Sequence, residues 1–120
     1  MRALLLAILG VISATSPQTA ITREQLIGHW RWFDSARSID YVFRADGIFT
    51  GHAAEGDIVV AEFKGKWSVE SGFLLYEYIS DSSGHAPQGA KDRDQLLEVT
   101  KDYYVIRART GAERKYMRVE

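Results

Sequence analysis

The side chains with the most chemistry to offer are aromatic. Trp32, Tyr41, Phe43, Phe63, Trp67, Tyr76, Tyr78, Tyr104 and Tyr116 occupy alternating positions of short apolar stretches, and five of these nine carry a phenol. If they share an interior, they form an apolar wall dotted with hydroxyls, the usual make-up of a site for a small apolar or amphipathic ligand. The same rings could instead interlock and fill the interior. The surface would then do the work, as in a cell-envelope interaction or inhibitor module. A third reading gives one inward tyrosine an acid–base role, as in a small isomerase-type barrel enzyme. Ligand binding without catalysis is the leading reading, and the residues alone leave the other two open.

The remaining reactive residues lack the spacing that chemistry demands. His29, His52 and His85 show neither H-x-H nor H-E-x-x-H spacing, so no metal site and no cofactor are expected. Asp81, Ser82, Ser83 and His85 contain the letters of a hydrolytic triad. Four neighbours on one loop, however, lack the rigid scaffold that orients a base. No G-x-S-x-G, phosphate-binding loop or dinucleotide fingerprint occurs, and no catalytic residue is assigned. Zero cysteine excludes disulfides, thiolate nucleophiles and iron–sulfur ligation. With 15 Lys and Arg against 16 Asp and Glu, the net charge of −1 offers no basic stripe, so no nucleic-acid partner is expected.

A run of short strands must position the rings. The T-x-x-Q capping box of Thr22–Gln25 opens a short N-terminal helical turn. After it the hydrophobic period becomes two and stays there. Strands are expected at Gly28–Phe33, Ile39–Arg44, Ile48–Ala53, Ile58–Val69, Phe73–Ser80, Gln95–Thr100, Tyr103–Thr110 and Glu113–Val119. Turn residues such as Ala45-Asp46-Gly47 and Glu70-Ser71-Gly72 separate them. This spacing signals an antiparallel sandwich or barrel. A small set with one wet face avoids open edges best by closing, so the expectation is an all-β, antiparallel up-and-down barrel of about eight short strands. In the fourth strand Val59, Ala61, Phe63, Gly65 and Trp67 should face inward, with Glu62, Lys64 and Lys66 facing water. The longest connection is Asp81–Asp92. Ile58, Val60, Phe73, Leu75 and Ile79 fall outward and would make an interface if contiguous, so a monomer or weak homodimer is expected.

Ahead of the barrel, Met1-Arg2 gives a positive start and Ala3–Ile12 an uncharged apolar run, followed by small and polar residues. That order describes a secretory signal peptide over residues 1–20, cleaved after Ala14 or Ala20. The apolar run falls short of the about 20 residues that span a bilayer, so no transmembrane segment is expected. The reading is an exported protein, periplasmic or secreted, whose barrel domain covers residues 21–120.

Gly28-His29-Trp30 is similar to the G-x-W signature that begins lipocalins and related calycin barrels. The stretches LIGHWRW, YVFRADGIFTG, GKWSVESGFL, DQLLEVTKDYYVIR and KYMRV, in that order, resemble the small exported lipocalin-like domains of bacteria. The resemblance implies a lipocalin-like barrel closed at one end by Trp30, with Gly28 permitting close approach and Arg118 stacked across the indole. Longer lipocalins often carry disulfides, and this chain has none. Its shorter barrel implies a smaller interior.

Overall fold

The structure is a computed structural model and describes residues 20–120. The signal-peptide reading of 1–20 therefore lies outside the described residues, apart from Ala20. A 3₁₀ turn, Arg23–Leu26, is held by the expected capping box, in which the Thr22 backbone N–H donates to the Gln25 side chain over 2.8 Å. Eight strands follow: β1 (Gly28–Phe33), β2 (Arg37–Phe43), β3 (Ile48–Glu55), β4 (Ile58–Glu70), β5 (Phe73–Asp81), β6 (Lys91–Val99), β7 (Tyr103–Arg107) and β8 (Glu113–Arg118). They form one closed antiparallel barrel in sequence order. The β3–β4 and β4–β5 connections are two-residue turns; in the latter Ser71 (φ 51°) and Gly72 (φ 82°) both sit in the left-handed region, as a hairpin turn that matches strand twist requires. Among the described residues no helix is long and apolar enough to cross a membrane.

Because every connection reverses direction, the turns collect at two ends. The 3₁₀ turn and the β2–β3, β4–β5 and β6–β7 turns share one end, and the remaining four connections ring the other, the mouth. The closing seam is short: among the described residues β1 pairs with β8 at Trp30–Arg118 and Arg31–Met117. Beyond Arg31 the ladder between these two strands stops, on the mouth side.

The expected strands all form, and the differences lie where alternation breaks. Three bulges leave Val60, Ile79 and Leu97 without a ladder partner. Each inserted residue turns its neighbours over. Val59, expected inward, is accordingly 50% exposed. The second difference is β6, which begins at Lys91 inside the stretch read as loop, so the β5–β6 connection is only residues 82–90. Its charged first half, Lys91–Asp94, hid it, although Asp92 pairs with Tyr76 and Asp94 with Leu74.

The small inward residues seat rings. At Gly65 a methyl would collide with the Glu77 carbonyl and the Phe49 ring, and at Gly51 with the Phe63 ring. The core is thus a set of aromatic plates laid on glycine-bare patches of β3 and β4.

Candidate functional site at the barrel mouth

The closed end gathers the three residues assigned to closure. Trp30 is fully buried, and its indole N–H donates to the Leu26 carbonyl over 2.8 Å. The Arg118 guanidinium stands 4.1 Å over that ring. It also donates to the carbonyls of Lys101, Ile27 and Gln25 at 2.6, 3.1 and 3.3 Å. Gly28, at φ 139°, lies against Arg118, and any side chain there would strike the guanidinium. Beside them Arg23 covers Trp67 at 4.7 Å, and the Trp67 indole donates to the Arg44 carbonyl. Arg118 and Arg23 thus cover the two indoles at this end.

Above this stopper the rings interlock. Tyr104 stacks on Tyr116 at 4.8 Å and meets Trp30 edge-on at 5.0 Å. Tyr41 touches Phe43, Phe49, Phe63, Tyr76 and Tyr116 with centroids 5.5–6.0 Å away. Of the nine residues assigned to ligand binding, Tyr41, Phe43, Trp67, Tyr76, Tyr104 and Tyr116 are buried in this stack, while Trp32, Phe63 and Tyr78 are half-buried nearer the mouth. Burial pushes the phenols of Tyr41, Tyr76 and Tyr104 well above their ordinary range, and each stays protonated at any physiological pH. The Tyr104 hydroxyl has no hydrogen-bond partner among the described residues.

Two charged side chains enter the barrel that the sequence reading missed. Asp94 projects from β6 toward the rings and accepts a hydrogen bond from the Tyr76 hydroxyl at 2.9 Å. Burial raises its carboxyl to about 6, against the hydrogen bond from Tyr76, which acts to lower it. Arg114 is inward on β8, two positions before Tyr116, and its guanidinium lies 4.9 Å over the Trp32 ring. Arg37 covers Trp32 at 5.6 Å. Running the alternation backward from Leu96, and from Arg118 through Tyr116, would have found both residues. Their charge disguised them as surface.

These elements define a recess of about 160 Å³ at the mouth, walled by Trp32, Ile39, Ala53, Ala54 and Val60, with Arg37, Ser38, Glu55 and Arg114 at its margin. The β4 bulge brings Val60 into that wall. A second, wider groove of about 360 Å³ lies on the outer wall over His29, Asp40, Thr50, His52 and Glu62. Its floor is occupied: the buried Asp40 carboxylate takes two 2.8 Å bonds from Arg31 and one contact of 2.6 Å with His29. Burial pulls this carboxyl upward, but the bonds from Arg31 and His29 outweigh it and hold it below the usual carboxylate range.

The other sequence candidates do not converge. Ser83 Oγ donates to Asp81 at 2.7 Å and lies 3.2 Å from His85 Nδ1, all on an exposed loop. Here the serine sits between acid and histidine, whereas a triad needs histidine in the middle. The outward apolar residues do not make one patch either. Ile58 opens β4 and Phe73 pairs with its last residue, Glu70, so the 13-residue strand separates them by roughly 40 Å. Phe73 is half-buried under Arg93, at 4.8 Å.

No family model and no curated protein matches the chain. Among solved structures it is similar to a lipocalin-like protein from Bacteroides uniformis, with 15% identity and a TM-score of 0.60 over 79% of this chain and 99% of that one. That likeness and the closed eight-stranded barrel make the fold lipocalin-like, as the G-x-W signature and Arg118 implied.

Proposed function

We propose that this protein is a non-catalytic binder of a small amphipathic molecule, held at the mouth of the barrel and not along its length. The observation that carries this reading is the 160 Å³ recess against Trp32, above an interior already occupied by rings. An apolar cavity of about 150 Å³ accepts one benzene-sized guest, which sets the scale of the ligand. The fold supports binding over catalysis, and the positive start and apolar run at the N-terminus support export.

Benzyl alcohol is a suitable probe. With about eight heavy atoms it should bind in the millimolar range, near −4 kcal/mol. In nitrogen–proton spectra the Trp32 indole signal should shift saturably, while those of Trp30 and Trp67, sealed at the far end, stay fixed. Val60→Phe, which fills the recess from the exposed bulge, should abolish the shift. A Trp32 signal that never saturates would overturn the proposal.

The filled core gives a second reading some support. Phe33, Ile58 and Val59 are exposed at 63%, 69% and 50%, and all three lie on the rim around the mouth. A barrel acting through its surface would use them to meet another protein.

A further inference from the structure

We infer that the molecule seated at the mouth is an anion, a carboxylate of single-ring size whose charged group is held by Arg114. This deepens the mouth-binding reading and rests on it.

The argument starts from which cations are spoken for. Around the mouth Arg37 pairs with Asp34 at 3.1 Å, Arg109 with Asp92 at 3.3 Å and Arg107 with Glu113 at 2.8 Å. Arg114 forms no ion pair among the described residues. It is nonetheless half-buried, drawn in against Trp32, and part of the recess margin. Its near neighbours are the Tyr116 hydroxyl and, outside ion-pair distance, Asp94. A guanidinium with no carboxylate in direct contact, partly removed from water, gains more from a planar anion than a surface arginine does. The Trp32 face and the Ile39 and Val60 side chains then take the ring of the same molecule.

The groups that oppose an anion are few. Glu55 is exposed on the rim, and Arg37 is its cross-strand partner. Asp92 is committed to Arg109. Asp94 lies deeper, bonded to Tyr76 and outside the recess wall, yet close enough to feel Arg114. Its carboxyl, raised to about 6, is the one competitor that protonation removes near neutrality. Anion binding should therefore strengthen as the solution is acidified from pH 7.5 to 5.5, a range in which an aryl carboxylate stays ionised.

The test compares benzoate, benzyl alcohol and benzylammonium by the Trp32 indole shift. At low salt and pH 7, benzoate should bind about tenfold tighter than benzyl alcohol, by one charge-assisted contact. Arg114→Gln should bring that ratio close to one. The wild type gives an answer without any variant. Its benzoate affinity should fall severalfold on raising salt from about 0.02 to 0.5 M, where charge interactions are screened, and rise severalfold at pH 5.5. Equal affinities for benzoate and benzyl alcohol, or salt-independent benzoate binding, would overturn the inference and leave mouth binding standing. A preference for benzylammonium would overturn it too and assign the polar contact to Asp94. Failure of all three probes to shift Trp32 would remove the mouth-binding reading itself, and the inference with it.

Discussion

Tyr104 and Asp40 are two buried polar residues with opposite fates. The Tyr104 ring packs on Tyr116 and Trp30, but its hydroxyl is sealed away without a partner among the described residues. Such burial costs about 1–3 kcal/mol, and phenylalanine keeps the ring without incurring it. Tyr104→Phe should therefore raise stability by about 1 kcal/mol, read from the urea midpoint at constant slope. A loss of stability would show the hydroxyl to be bonded after all. Asp40 sits on the outer wall and is just as buried, yet Arg31 faces it across β1 and His52 across β3. The alternation of Ile39, Asp40 and Tyr41 already told which way Asp40 points. What covers it depends on the registers of three strands, which no local pattern carries.

At the scale of elements, the closed end is a small assembly built on one side chain. The 3₁₀ turn Arg23–Leu26, the β6–β7 turn and the end of β8 meet on Arg118, through its stack on Trp30 and three carbonyl acceptors. Arg118→Ala removes all of these contacts at once. The expected loss is about 2–3 kcal/mol in chemical denaturation, from a stack of about 1 kcal/mol and several charge-assisted bonds on a partly exposed group. Arg118→Lys should recover less than half, because an ammonium cannot stack and fork together. A loss below about 0.5 kcal/mol would mean that the end is held by the Trp30–Leu26 bond and packing alone. The residues that meet here carry a local signal, since Gly28 and Trp30 open β1 and Arg118 ends β8, and they come into contact. The bulges carry none, because Val60, Ile79 and Leu97 are apolar residues that suit either face of a strand. The mouth site was hidden for the same reason, since its wall depends on the Val60 bulge and its charges on a strand whose first half looks like a loop.

Over the whole molecule, one interior carboxyl couples the fold to pH. Burial raises Asp94 from an ordinary 3.8 to about 6, so the folded barrel holds this proton more tightly than the unfolded chain does. The stability it contributes is complete below about pH 4 and is lost as the pH rises through about 6, a change of roughly 2–3 kcal/mol. Asp94→Asn, which keeps an acceptor for Tyr76 and never ionises, should be the more stable protein above pH 7 and should lack this decline. Parallel stability profiles for the two from pH 4 to 8 would refute the coupling. The barrel's closure carries a different kind of cost. Seven of its eight strand pairings join neighbours in sequence, and the eighth brings Arg118 to Ile27 across 91 positions. Tying a loop that long, compared with a ten-residue hairpin, costs about 2 kcal/mol more in chain entropy. Two ladder pairs at the seam offset little of that. The β1–β8 seam is therefore the costliest pairing of the barrel in chain entropy. The arginine clasp, at the end opposite the mouth, helps to offset the cost of closing that longest loop.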